Sequence, residues 1–472
     1  MRVFDLAIVN GTVVTMDPNR RIIPRGLVLI HGENLEYVGP AGEEKFPWKA
    51  EQTLDARRSI VMPGLIDVHG HAGHSLVKTM GDRGRDTWES VAEDVYFRNS
   101  TDAFWHAEAA LAGLERLRFG VTCGYSMMGN MPRTDDVRWS LSHISGMRTV
   151  GIRDIVGIGP GLPPWPKTVR QWEKGRPTTR EFHMEASLEV TEEICRMASR
   201  GDFGDRVTVH VSPSRVGDPE GLGEDTLLNQ TREFTRIARD HGLMINSHAY
   251  QGNVAYAYHH LDVLGPNTLL AHCTGISADE VRYLADTGTH VAHCPSARSV
   301  ARGWCPAPDL IDAGVNVALA TDGTAPDRSF CVFKEMRTAA IIHHIHEGDD
   351  GVLPPGKLLE MVTIDAAKAV GLAGLIGSLE AGKRADVILV DVNAPHQYPL
   401  TMPVHRLAYV TSGQDVSTVI VNGAVLMHNR RTRIDEEAIF GEAQEEFRAA
   451  VARAGLEAEL EIPERFWGHS RY

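Results

Sequence analysis

Eight near-continuous apolar runs punctuate the middle of the chain. They are "SIVMPGLIDVH" (59 to 69), "VTCGYSMM" (121 to 128), "RTVGIRDIVGIG" (148 to 159), "RVTVHVSP" (206 to 213), "LMINSHA" (243 to 249), "TLLAHC" (268 to 273), "HVAHCP" (290 to 295) and "VNVALATD" (315 to 322). Their spacing is too long for hairpins, and their lack of alternation is what parallel strands buried on both faces require. The segments between them carry helical periodicity. "TDAFWHAEAALAGLERLRFG" (101 to 120) opens on a capping Thr or Asp and closes on Gly120, and "TLLNQTREFTRIARDHG" (226 to 242) closes in the same way on Gly242. Eight strands alternating with helices predict an α/β fold, a (β/α)8 TIM barrel.

The two ends alternate instead. "FDLAIVNGTVVTMD" and "RGLVLIHGENLEYVG" turn at Asn-Gly and Gly-Glu-Asn, and "ADVILVDV" and "VSTVIVNGAVLMHNRR" have the same character, which predicts antiparallel strands. The expected organisation is a small β-sandwich domain from residues 1–58 and 375–430, a barrel over 59–374 and an amphipathic helical tail over 431–472. The longest unpatterned stretch, 159 to 182, is rich in Pro and predicts a long loop. It leaves the third strand on the face where barrel enzymes carry their sites, so a substrate-covering role is expected of it.

Composition narrows the function. Of the 472 residues, 43% are hydrophobic and 23% charged, an ordinary globular balance. The net charge of -14 argues against nucleic acid, whose binders need a basic face. The six cysteines form no C-x-x-C pair and read as reduced thiols; the start "MRVFDLAIVN" has no basic region followed by a long apolar run and nowhere do 18 apolar residues run together, so neither a leader nor a membrane span is expected. The expectation is a cytoplasmic protein that acts on a small molecule and not on a membrane.

Candidate chemistry sits at the strand ends. His69 and His71 end the first strand, His248 the fifth, His272 the sixth, His293 the seventh and Asp322 the eighth. Strand residues two apart share a face, so His69 and His71 can present both imidazoles to one point. With His248 and the Asp322 carboxylate they compose a ligand set that leaves one position open, as a catalytic divalent ion requires. One such ion per subunit is expected, zinc first, with iron, cobalt or manganese also compatible.

Together "NGTVVTMD", "VMPGLIDVHGH", "NSHA", "LLAHC", "VAHCPSAR", "LATDG" and "GSLEAGKRADVILVD" resemble the amidohydrolase superfamily along nearly the whole chain. The likeness is greatest to its mononuclear branch, which includes cytosine and adenosylhomocysteine deaminases and triazine hydrolases. That resemblance implies metal ligands His69, His71, His248 and Asp322, with His272 as a polarising group beside the metal. Binuclear members bridge two metals with a carboxylated Lys or a Glu on the third or fourth strand, and neither run here contains one. Relatives are dimers or larger, so a homo-oligomer is implied.

One departure bears on substrate. Deaminases of this branch carry H-x-x-E after the fifth strand, whereas this chain reads "HAYQ", placing Gln251 where the acid stands. Gln has no titratable proton and cannot act as general acid or base. Hydrolysis at a carbonyl remains within reach: Asp322 takes the proton of the attacking water and returns it to a leaving amine, while His272 or His293 polarises the carbonyl. The expected reaction is metal-dependent hydrolysis of a non-peptide C–N bond in an amide, urea, carbamate or thiocarbamate. "HGHAGH" also resembles the corresponding stretch of phenylurea and molinate hydrolases, which have Asn where His69 stands. The alternative is a deaminase or dechlorinase of a nitrogen heterocycle. A catalytically silent scaffold is a third class, opposed by the survival of all four ligands.

Pocket-lining residues expected besides Gln251 are Trp88, Trp165, Met127, Ser212, Arg215 and His74. His210 is expected to point outward into the helices, Cys273 and Cys294 to pack against helices, and His343, His344 and His346 to lie on a solvated helix surface.

Overall fold

The structure is a computed structural model that describes residues 1–81, 85–128, 133–217, 224–297 and 303–462. The last ten residues of the expected tail, and Arg298 of "VAHCPSAR", lie outside them. All eight apolar runs form strands of one parallel sheet: Leu65–Asp67, Val121–Met127, Arg153–Ile158, Val207–Val211, Ile245–Tyr250, Thr268–Thr274, His290–His293 and Val317–Leu319, paired in sequence order. Between the first and the eighth, the Asp322 N–H donates to the His69 carbonyl at 3.0 Å and the Thr321 N–H donates to Asp67 Oδ1 at 3.0 Å. The molecule is an α/β barrel of the expected class.

The first run divides. Ser59–Pro63 pairs with Arg2–Val14 and Val387–Asp391 in the small sheet, and only Leu65–Asp67 enters the barrel. The switch falls at Pro63-Gly64, where a Cβ on Gly64 would lie 2.0 Å from Thr122 Oγ1, so only a bare Cα fits between the two units. The small sheet has nine strands, with Val416–Val421, Ala424–His428 and Arg431–Thr432 at one end and Arg2–Val14, Ile22–His31 and Asn34–Pro40 at the other. It draws on both ends of the chain.

The barrel interior is filled by Ile66, Val68, Cys123, Tyr125, Met127, Ile155, Leu269, Ala271, Ala292, Cys294, Ala318 and Ala320, and helix Ile364–Ala369 adds Ala366, Ala367 and Ala369 to the same cluster. Residues of opposite parity such as Val209, Val211, Leu270, Val291 and Val317 pack outward with the helices. Cys273 faces outward as expected, but Cys294 belongs to the interior cluster. Alternation continues past the strand end: Val291 packs outward while Ala292 and Cys294 pack inward, so it is His293, not Cys294, that takes the outward position, where it meets His343 of a helix. His210 likewise lies inside, fully buried with its ring 5.5 Å from Tyr125.

Thr101 caps helix Asp102–Arg118 by accepting from the Phe104 N–H, and Gly120 follows that helix at φ +81°. The stretch from 159 to 182 is not a simple loop. Lys167–Glu173 and Arg176–Phe182 form an antiparallel hairpin, turned at Lys174-Gly175 with positive φ at both residues. Lys-Gly is a weaker turn signal than Asn-Gly, and the surrounding prolines masked it. Helix Glu436–Ala454 packs against Asp102–Arg118, with Arg118 paired to Glu436 at 2.6 Å. The six cysteines are free, buried thiols. No described helix is long and apolar enough to cross a membrane.

Candidate metal centre

The barrel brings the strand-end residues to one place. The ligand atoms of His69, His71 and Asp322 lie within 4.8 Å of one another, and so do those of His69, His248 and His272. His71 Nε2 is 3.1 Å from Asp322 Oδ1 and 3.2 Å from His248 Nε2, and His69 Nε2 is 3.8 Å from Asp322 Oδ1. These residues start from strands one, five, six and eight, so only closure of the barrel makes them neighbours.

Local bonds aim the side chains. His248 Nδ1–H donates to the Ser214 carbonyl at 2.6 Å, which leaves the Nε2 lone pair toward the cluster. Asp67, two residues before His69, accepts from Thr321 Oγ1 at 2.6 Å and from its N–H, so the ends of strands one and eight are locked together. His272 (φ +73°) and Asp322 (φ +61°) both hold the left-handed conformation, which costs a non-glycine residue about 1–3 kcal/mol and persists where the surroundings dictate it. Beside Asp322, a Cβ on Gly323 would lie 1.9 Å from His74 Nδ1.

The electrostatics suit a cation. Burial first, and then the neighbouring imidazoles, push His69 and His248 well below the usual histidine range, so both are neutral and able to donate lone pairs. Burial also brings His272 down to about 3. Burial alone would raise Asp322, but its hydrogen bond to His71 and the charges of His272 and Arg328 outweigh it and hold the carboxyl well below the carboxylate range. Among the described residues, both ring nitrogens of His69 and Nδ1 of His71 are buried without a hydrogen-bond partner. Stranded nitrogens of this kind cost about 1–3 kcal/mol each unless a ligand engages them. Three imidazoles and one carboxylate converging in this way fit a divalent ion of the zinc type. Strands three and four supply no Lys or Glu.

The other expected residues take distinct places. His74 is buried, stacked on His71 at 5.0 Å and 16°, with the Trp88 ring 4.9 Å away. Ser212 is buried and hydrogen-bonded to the Tyr125 hydroxyl, and Met127 lies in the barrel interior, where its N–H donates to the Gly70 carbonyl at 2.9 Å. The Arg215 guanidinium sits 5.4 Å from the Tyr250 ring, which in turn stacks on His272 at 5.3 Å. Gln251 is exposed at the turn following the fifth strand. Trp165 packs on Phe182 and donates to Gln230 at 3.1 Å, which fastens the base of the hairpin to helix Glu224–His241. His293 lies outside both donor clusters and meets His343 at 3.0 Å. His343 is therefore not a surface residue: it is fully buried, whereas His346 of the same helix is exposed.

Sequence reasoning passed over three residues here. Arg328, only slightly exposed, reaches Asp322 Oδ2 at 3.6 Å and donates to the Gly323 carbonyl at 2.9 Å. Its sole sequence signal was a position six residues past Asp322. Tyr250 was hidden between His248 and Gln251. Glu335, buried on helix Val332–Glu347, accepts from the Ser296 N–H and hydroxyl at 3.2 and 2.8 Å, and burial pushes it up to about 8.

A parallel α/β barrel with an imidazole–carboxylate cluster at the carboxyl ends of its strands defines a metal-dependent hydrolase. Residues 60–426 match the amidohydrolase family, and the chain belongs to that family. It is a hydrolase of carbon–nitrogen bonds other than peptide bonds. The chain is 31% identical to a 5-methylthioadenosine/S-adenosylhomocysteine deaminase of Moorella thermoacetica, over 89% of this chain and 94% of that one. It is 30% identical to a 5'-deoxyadenosine deaminase of Methanosarcina mazei, over 95% and 99% respectively. Among solved structures, it superposes on an adenosine deaminase from Xanthomonas campestris with bound zinc at a TM-score of 0.80, with 22% identity, covering 96% of this chain and 99% of that one. Its TM-score to atrazine chlorohydrolase TrzN from Arthrobacter aurescens TC1, complexed with zinc, is 0.75 at 21% identity, covering 94% and 100%.

Proposed function

We propose that the protein hydrolyses an acyclic C–N bond, in an amide, urea, carbamate or thiocarbamate, with one zinc ion held by His69, His71, His248 and Asp322. The ion supplies a Lewis acid and, from water, a nucleophile at neutral pH. Asp322 is the one carboxylate in the two donor clusters, and it is ionised. It accepts a proton from the attacking water and passes it to the leaving amine. His272, its ring 5.3 Å from those of both His248 and Tyr250, supplies a hydrogen bond to the carbonyl oxygen as charge develops there. Arg215, Tyr250 and Gln251, at or just past the ends of strands four and five, contact the remainder of the substrate.

The observation that carries this reading is Gln251. It stands where a ring deaminase needs an acid, and it has no proton to move. A second reading, deamination or dechlorination of a nitrogen heterocycle, is favoured by the names of the relatives, among them the two deaminases above. The zinc-loaded protein assayed against matched amides, ureas and carbamates, and against 5'-deoxyadenosine, methylthioadenosine and chlorotriazines, separates the two. Amine release from the acyclic set supports the first. Ammonia or chloride release from the rings alone overturns it in favour of the second. The protein is further proposed to work in the cytoplasm as a dimer or larger assembly, which light scattering of the purified protein tests.

A further inference from the structure

We propose that His343 is a positioning residue that fixes the tautomer of His293, so that His293 offers an Nδ1–H donor at the carboxyl end of the seventh strand. This rests on the hydrolase reading above and assigns a role to a helix residue well away from the metal cluster. His293 and His343 are both buried, at 2% and 0% exposure, and their Nε2 atoms are 3.0 Å apart with the rings inclined at 68°. Two imidazoles in this arrangement share one proton, so one Nε2 donates and the other accepts.

The choice between them follows from the far side of His343. Its Nδ1 is buried without a hydrogen-bond partner among the described residues. An orphaned N–H is rarer in a protein interior than an orphaned acceptor, so the proton of neutral His343 belongs on Nε2 and its Nδ1 carries only the lone pair. Burial lowers His343 to about 4, which keeps the ring neutral at physiological pH. His343 therefore donates, His293 Nε2 accepts, and the single proton of neutral His293 resides on Nδ1. Trp304 packs 4.4 Å from His343 and stacks at 3.9 Å under His346, holding His343 in place from the solvent side. In this tautomer the Nε2 lone pair of His293 is engaged by His343, so His293 acts as a donor through Nδ1 and takes no proton from the nucleophile.

Nitrogen-15 NMR of the histidine-labelled, zinc-loaded full chain tests this, with the His293 signals identified by their loss in H293N. The expected wild-type pattern is a protonated Nδ1 and an accepting Nε2 on His293. In H343L the proton moves to Nε2, and in H343Q, whose amide can donate from a similar reach, the wild-type pattern returns. H343F retains the packing without ring nitrogens and serves if H343L does not fold. Turnover of whichever substrate the assay above identifies falls about 10- to 100-fold in kcat for H343L, with KM little changed, and recovers in H343Q. A wild-type His293 protonated on Nε2, or the same tautomer in H343L or H343F as in the wild type, overturns the proposal. The expected tautomers in a protein that hydrolyses none of the compounds would sink the hydrolase reading and leave this assignment standing.

Discussion

A single side chain, Gln251, separates the two chemistries open to this site, because an amide can orient a substrate but cannot carry a proton. Replacing it with Glu restores an acid at the turn after the fifth strand. The Q251E variant is expected to raise ammonia release from adenine nucleosides at least about tenfold relative to wild type, within the range usual for general acid–base groups. Unchanged ammonia release would mean that the position does not face the substrate. Asp322 has a sharper role in the proposed mechanism, where it both holds the metal and moves the proton. D322N is expected to lose at least about 10³-fold in kcat and to retain less zinc by elemental analysis. A variant with full zinc content and near-normal turnover would remove Asp322 from the mechanism.

At the scale of elements, the turns that follow the strands decide where the ligands point. The Asp322-Gly323 turn is crowded against the His74 ring, so Gly323→Ala must push His74 or Asp322 aside. A loss of zinc affinity of about tenfold or more is expected in G323A, read by competition with a chelator. Unaltered affinity would show that the turn gives way cheaply. Helices Asp102–Arg118 and Arg138–Val150 are tied to the third strand by His143, whose Nδ1 is 2.7 Å from Glu108 and whose Nε2 is 3.2 Å from Asp154. Burial by itself would lower this imidazole, yet Asp154 and Glu108 outweigh it and push it up to about 9. A folded-state pKa above the unfolded value of about 6.5 gives stability that is complete below that pH and lost as pH climbs through 9. Melting temperature should thus decline from pH 6.5 to 9.5 in the wild type, and decline less in H143N. Parallel curves for the two proteins would dismiss the linkage.

Across the whole molecule, the two units are joined by a buried ion pair. Arg153 of the third barrel strand meets Asp386, just before the Val387–Asp391 strand of the small sheet, at 2.7 Å, and it also bonds the Asn422 side chain. Removing the cation leaves a carboxylate stranded, so Arg153→Met should cost roughly 3–5 kcal/mol in urea unfolding. A cost under about 1 kcal/mol would mean that water or a neighbour compensates. Because a bound ion stabilises only the folded state, stripping metal with a chelator should lower the melting temperature, and adding zinc back should restore it.

The barrel was legible in the chain because its evidence is local: eight apolar runs, each long enough to reveal burial on both faces, with capped helices between. The convergence of His69, His71, His248 and Asp322, the proposed ligands, was legible for the same reason, since each stands at the end of such a run. What escaped depends on contacts between distant segments. His343 looked like solvated surface because two neighbouring histidines shared its helix, and nothing nearby in sequence shows that Trp304 and His293 enclose it. Cys294 was expected among the helices on the premise that His293 turns inward, yet Ala292 and Cys294 hold the interior positions, and His210 was expected outside although Val209 and Val211 on either side of it are the residues that pack outward. The order of residues therefore determined the architecture, the family and the ligand types, because periodicity and strand ends are properties of short stretches. Only the folded chain decided which imidazole is a neutral donor, that Arg328 stands against Asp322 and that His343 stands behind His293, because these depend on desolvation and on distances between residues that no local pattern relates.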